Sequence, residues 1–141
     1  MIRTRNACIA LLVAPAPSWA DTNKIRPGLY AIEYRLELPH LERFGVDTRV
    51  ERCTEGESLP IFSAKNAFEN CSLEDRVIEE KRLRYSLICE GVSTGRAFAD
   101  YKLTLDGFSG RVLVKLGGKN MTLTEVQSGR WLSECPASKT D

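Results

Sequence analysis

Residues 71–90 read CSLEDRVIEEKRLRYSLICE: twenty residues, nine of them charged, with cysteines at positions 71 and 89. Whether this stretch is a helix or a hairpin decides the fold. Its composition suits a helix. Ser72 with Asp75 three residues on has the form of a capping box, acids lead and bases follow, and Glu, Lys, Arg and Leu are good helix formers. Its alternation suits a hairpin. If the chain reverses around Glu80, Val77 faces Leu83, Asp75 faces Tyr85, Leu73 faces Leu87 and Cys71 faces Cys89. One face then carries Cys71, Leu73, Val77, Leu83, Tyr85, Leu87 and Cys89, with Asp75 as the one polar intruder. The other carries Ser72, Glu74, Arg76, Arg82, Arg84 and Ser86, with Ile78 and Ile88 as exceptions. Sorting with period two is what a half-buried antiparallel pair requires.

The cysteines sharpen the choice. Eighteen residues of helix would hold Cys71 and Cys89 about 27 Å apart, whereas a disulfide spans roughly 4.4–6.8 Å between Cα atoms, close to the spacing of opposed strand residues. A single helix and a Cys71–Cys89 bridge therefore exclude each other. The hairpin is the favoured reading, with Cys71–Cys89 as a cross-strand staple and Cys53–Cys135 left to close the domain.

The cysteine count supports disulfides once the N-terminus is considered. MIRTRN carries two arginines and no acid, ACIALLVAPA is a short apolar run, and Ser18 and Ala20 stand at the small positions before Asp21. This is the layout of a secretory signal peptide over residues 1–20, cleaved after Ala20, and its apolar run is too short for a membrane span of about 20 residues. Cys8 would leave with it, so the domain expected over residues 21–141 keeps four cysteines, an even set suited to two disulfides in an oxidising compartment. Loss of Arg3 and Arg5 turns the net charge of +1 into −1, a balance with no general pull toward nucleic acid or anionic lipid.

The rest of the chain carries the same alternation. In GLYAIEYRLEL (28–38), Tyr30, Ile32, Tyr34, Leu36 and Leu38 share one side; VDTRVERC (46–53) is β-branched and alternating; PHLERFG (39–45) between them is a loop. TEGESLPIFSAKNAFEN (54–70) reads as a loop with one short helical turn around Ser63–Phe68. Beyond Cys89, the stripe Ala97, Ala99, Tyr101, Leu103, Leu105 leads to a turn at Asp106-Gly107. The stripe Val112, Val114, Leu116 leads to a turn at Gly117-Gly118, and Met121, Leu123 and Glu125 follow. Seven or eight short strands without crossover helices predict an all-β domain, an antiparallel meander rolled into a strongly bent sheet or small barrel.

Little here has the form of catalytic or metal chemistry. The cysteines contain no CxxC pair, and His40 is the only histidine. With four paired cysteines no thiolate is left, and His40 sits beside Pro39 in a loop. Glu79-Glu80 and Glu55 with Glu57 read as solvated turn acids, and Gly117-Gly118-Lys119 lacks the strand-to-helix setting of a phosphate loop. The expectation is a protein that is not an enzyme and needs no cofactor.

PGLY (27–30), RC (52–53), CEG (89–91), DGFSG (106–110) and SGRWLSEC (128–135), in this order behind a signal peptide, resemble the bacterial domain-of-unknown-function family 3617 of small exported proteins. The resemblance spans nearly the whole of residues 21–141. Tyr30 and Ala31 stand where that family usually has Trp then Glu, and Ser133 and Glu134 where it usually has Gly-Asp; its loop after the first strand is often rich in Met and Pro, unlike PHLERFG. The resemblance implies a four-cysteine, mostly β envelope protein and no activity.

Two functions are compatible with these residues. The inner side of the bent sheet, with Tyr30, Ile32, Tyr34, Tyr85, Tyr101 and Leu103, is a candidate wall for a small apolar or amphipathic ligand. Alternatively PHLERFG, or the charged hairpin face of Glu74, Arg76, Arg82 and Arg84, is a candidate surface for an envelope protein.

Overall fold

The stretch 71–90 is a hairpin. In the computed structural model, which describes residues 25–63, 68, 70–90, 95–117 and 121–137, β3 (Cys71–Glu79) and β4 (Arg82–Cys89) pair antiparallel, with Cys71 opposite Cys89. The two form a disulfide, Cα–Cα 4.3 Å, and Cys53 joins Cys135, Cα–Cα 5.7 Å. Both linkages are those the hairpin reading requires. The reversal uses Glu80 and Lys81 alone, with φ of 47° and 65°. Positive φ at both central residues marks the two-residue turn whose twist matches that of its strands.

One detail of the register differs from the expected one. Cys71, Ser72, Leu73 and Glu74 face Cys89, Ile88, Leu87 and Ser86 as expected. A bulge then shifts the pairing by one residue, so that Val77 faces Arg84 and Ile78 faces Leu83. Asp75, with φ 51°, is at the bulge. Two of the three residues that break the sequence alternation, Asp75 and Ile78, are thereby accommodated. Asp75 leaves the apolar row, Ile78 packs on the core, and Val77, expected inside, is 38% exposed. Arg76 is likewise not opposite Arg84; its Nε donates to the carbonyl of Glu57, 3.0 Å away.

The other strands are β1 (Gly28–Glu37), β2 (Asp47–Thr54), β5 (Gly95–Leu103), β6 (Gly107–Leu116) and β7 (Met121–Ser133). All seven form one antiparallel sheet in the order β2-β1-β7-β6-β5-β4-β3, so the last strand lies beside the first. The sheet does not close, and β2 and β3 are its edges. Of the expected architectures the open bent sheet is the one formed. The only helical element among the described residues is a 3-10 turn, Glu42–Phe44, within PHLERFG. Of the helical turn expected around Ser63–Phe68, positions 64–67 lie outside the described residues, as does the leader expected at 1–20.

Alternation puts one residue parity of each of the five inner strands on a common buried face: Tyr30 and Ile32, Leu123, Glu125 and Gln127, Phe108, Val112 and Val114, Ala97, Ala99, Tyr101 and Leu103, and Leu83 and Tyr85. Leu105 is not in that stripe: the turn begins earlier than Asp106-Gly107 and leaves it 85% exposed. Glycine makes the aromatic packing possible. The ring of Phe108 lies on Gly129, where a Cβ would come within 2.2 Å of it, and the Tyr101 ring covers Gly110. Phe108 in turn contacts Tyr30 (5.6 Å between centroids) and, edge-on, Tyr101 (5.7 Å).

Candidate functional site

Segment 55–63, read from sequence as a plain loop, crosses the buried face of the sheet. Leu59 is 1% exposed, Ile61 is 5% exposed, and Phe62 stacks on Tyr34 with centroids 4.7 Å apart. A segment with no strand partner brings its backbone N–H and C=O groups into the interior, where each must find a partner or cost about 1–3 kcal/mol. Three side chains of the sheet supply partners to residues 59–63, and a fourth, Tyr101, supports one of them.

Tyr85 is the first. Its hydroxyl accepts from Leu59 N at 3.0 Å and donates to Leu59 O at 3.2 Å, closing both backbone groups of one residue. Gln127 is the second: its Nε2 donates to Pro60 O (2.8 Å) and to Glu125 Oε1 (2.6 Å), while its Oε1 accepts from the Tyr101 hydroxyl (3.0 Å). Glu125, 0% exposed, accepts from Phe62 N at 3.0 Å and from Ser63 N at 2.7 Å, and Ser63 Oγ also donates to it. Together with Gln127 this brings four donors to a carboxylate with about four lone-pair sites. The result is a row in which Tyr85, Gln127 and Glu125 bond the backbone of residues 59–63 and Tyr101 holds the Gln127 amide.

Burial sets the chemistry of these tyrosines. Loss of water pushes the Tyr85 hydroxyl up to about 12, against smaller opposing effects from its hydrogen bond with Leu59. The same cause holds Tyr101 well above the ordinary phenol value and also raises Tyr30, whose hydroxyl donates to Arg26 O at 2.7 Å.

Of the four tyrosines expected to line a ligand face, Tyr30, Tyr85 and Tyr101 are thus brought together in the core with their hydroxyls engaged, and Tyr34 is half-buried at the margin against Phe62. The open clefts lie elsewhere. One of about 400 Å³ runs beside β2 along Arg52, Thr54, Glu57 and Pro60; another of about 400 Å³ crosses β2, β1 and β7 on the other side of the sheet at Arg49, Glu33 and Arg130.

The arginines of the charged hairpin face are engaged within the chain. Arg82 grips Asp100 of β5 with two hydrogen bonds, Nε to Oδ1 at 2.6 Å and Nη2 to Oδ2, which holds the Asp100 carboxyl below its usual range. Arg84 reaches Glu79 at 3.4 Å. With Arg76 turned to Glu57, no continuous arginine row remains.

Among the described residues the β1–β2 loop gathers four of the exposed large apolar side chains. Leu38 (39%), Leu41 (48%), Phe44 (63%) and Val46 (77%) are all exposed within nine residues. His40 lies there too, exposed, with its backbone N–H accepted by Glu42 at 3.1 Å. Among the described residues no group of three His, Cys, Asp or Glu is placed to hold a metal ion, and no helix is long and apolar enough to cross a membrane.

Sequence reasoning missed Glu125 and Gln127. The signal was present: two polar residues of one parity in β7, directly after Leu123, on the side that the partner strands fill with Val112 and Val114. Comparison with protein-family models, with curated proteins and with solved structures finds no match for this chain. The family resemblance accordingly rests on its motifs. The two disulfides are of the kind that persist in oxidising, extracytoplasmic surroundings.

Proposed function

We propose that this is an exported, non-catalytic binding protein of the bacterial envelope, carried to the periplasm by a signal peptide cleaved after Ala20, and that it engages a protein partner through the β1–β2 loop, residues 38–46. The observation that carries this reading is the distribution of apolar surface. The inner face is filled by the chain's own segment 55–63, while Leu41, Phe44 and Val46 are left in solvent. Isolated exposed apolar residues are ordinary; four in one short loop form the beginnings of an interface core. The loop also carries Glu42 and Arg43 and is flanked by Arg35, Glu37 and Asp47, a balance that favours a protein surface over an anionic membrane.

A different observation supports a second reading. Segment 59–63 is held to the inner face by side-chain hydrogen bonds and is not built into the sheet. Its withdrawal would open a trough walled by Tyr30, Tyr34, Tyr85 and Tyr101, suited to a small apolar or amphipathic ligand.

Native mass spectrometry of the protein purified from periplasm separates the two. A stoichiometric protein that is lost when Leu41→Ser and Phe44→Ser are combined supports the loop reading. A co-purifying small molecule that survives this double substitution supports the trough and overturns the loop as the principal site.

A further inference from the structure

The outer edge of β2 has no strand against it among the described residues, and seven of its eight residues are exposed or half-buried. We infer that this edge pairs with the same edge of a second copy, β2 antiparallel to β2, with the twofold axis at Val50.

The charge pattern selects both the occupant and the register. A twofold axis perpendicular to the sheet keeps outer faces with outer faces, so it must pass through a residue. Four such centres keep five or more residues of Asp47–Thr54 in register. An axis at Arg49 opposes two arginines and sets Asp47 against Glu51; one at Glu51 opposes two glutamates; one at Arg52 opposes two arginines. Only the axis at Val50 pairs Arg49 of each copy with Glu51 of the other, twice by symmetry, and sets Val50 against Val50 on the inner side. Directly opposed unlike charges favour pairing and like charges oppose it, so the edge is complementary to itself in one register. Arg49 is available for this. Its side chain is 84% exposed, and its contact with Glu33 at 2.8 Å comes from the β1 side of the same face.

The opposite edge explains why the contact closes at two copies. Pairing of β2 with β3 of another molecule would be head-to-tail and would run on as a filament. The bulge at Asp75 and the shifted register beyond it interrupt the straight run of backbone groups that such pairing needs.

The test is sedimentation velocity over a micromolar to submillimolar range, on oxidised protein with variants checked by circular dichroism. The wild type should dimerise reversibly, more weakly as salt rises. Arg49→Glu and Glu51→Arg should each be monomeric, and an equimolar mixture of the two should recover the dimer, because one chain then presents an acidic edge and the other a basic one. As an independent readout, Val50→Cys should form a disulfide-linked dimer under mild oxidation and Thr48→Cys should not, since only position 50 meets its own copy at about 4.5–5.5 Å. A wild type that stays monomeric throughout, single variants that dimerise like the wild type, or equal cross-linking at positions 48 and 50 would each overturn the assignment.

Discussion

The tyrosine at position 85 shows how a single side chain can serve two levels of structure. It sits in the apolar row of β4, where alternation requires a large residue, and its hydroxyl supplies both hydrogen bonds of Leu59 in a segment that has no strand partner. Burial therefore ties its ionisation to folding. The folded-state value of about 12 stands above the usual 10 of an exposed phenol. A group raised in this way contributes stability that is complete below the unfolded value and lost as pH climbs to the folded one. Between pH 10 and about 12 Tyr85 should therefore cost the fold about 3 kcal/mol, with Tyr101 adding in the same direction. Urea unfolding midpoints measured across that window should fall, and the phenolate absorbance of Tyr85 and Tyr101 should appear together with unfolding. A midpoint flat to pH 12 would contradict the arrangement.

At the scale of elements, the hairpin β3–β4 carries one visible compromise. Glu80 and Lys81 both adopt positive φ, a conformation that costs residues other than Gly, Asn or Asp roughly 1–2 kcal/mol each. Combining Glu80→Asn with Lys81→Gly should raise the thermal midpoint by several degrees while leaving the Cys71–Cys89 link and the dichroism spectrum unchanged. This element also shows what sequence could and could not supply. The reversal at Glu80, the staple and the inward row Leu83, Tyr85 and Leu87 were legible because all of them lie within one twenty-residue stretch. The bulge was written as two violations of parity, Asp75 and Ile78, but a parity violation does not say which residue the backbone will expel. The docking of 55–63 left no local trace at all, because its partners Glu125 and Gln127 lie more than sixty residues downstream. Only their polarity in an apolar row hinted at it, and with it went the distinction between tyrosines that line a cavity and tyrosines that fill a core.

For the whole molecule, the Cys53–Cys135 bond joins the end of β2 to the segment after β7, with a sequence separation of 82. In the chain-entropy model a loop of that size restrains the unfolded chain by about 4.5 kcal/mol, against about 3 kcal/mol for the 18-residue separation of Cys71–Cys89. Replacing Cys53 and Cys135 by alanine should thus lower the urea midpoint more than replacing Cys71 and Cys89, an ordering readable from paired denaturation curves. For a domain of this length either loss is a large part of the total.

The strand order has a further consequence, in time instead of space. Because β7 lies between β1 and β6, the first strand to emerge has only β2 as a neighbour until the last strand is delivered. Glu125 and Gln127, which receive segment 59–63, arrive on that same last strand. A chain that emerges N-terminus first therefore holds an incomplete sheet with an uncovered apolar face until β7 is available, and contacts this distant in sequence form slowly. Productive folding must be a late, concerted event that follows release of the C-terminal strand. Until then the uncovered apolar face is exposed to aggregation.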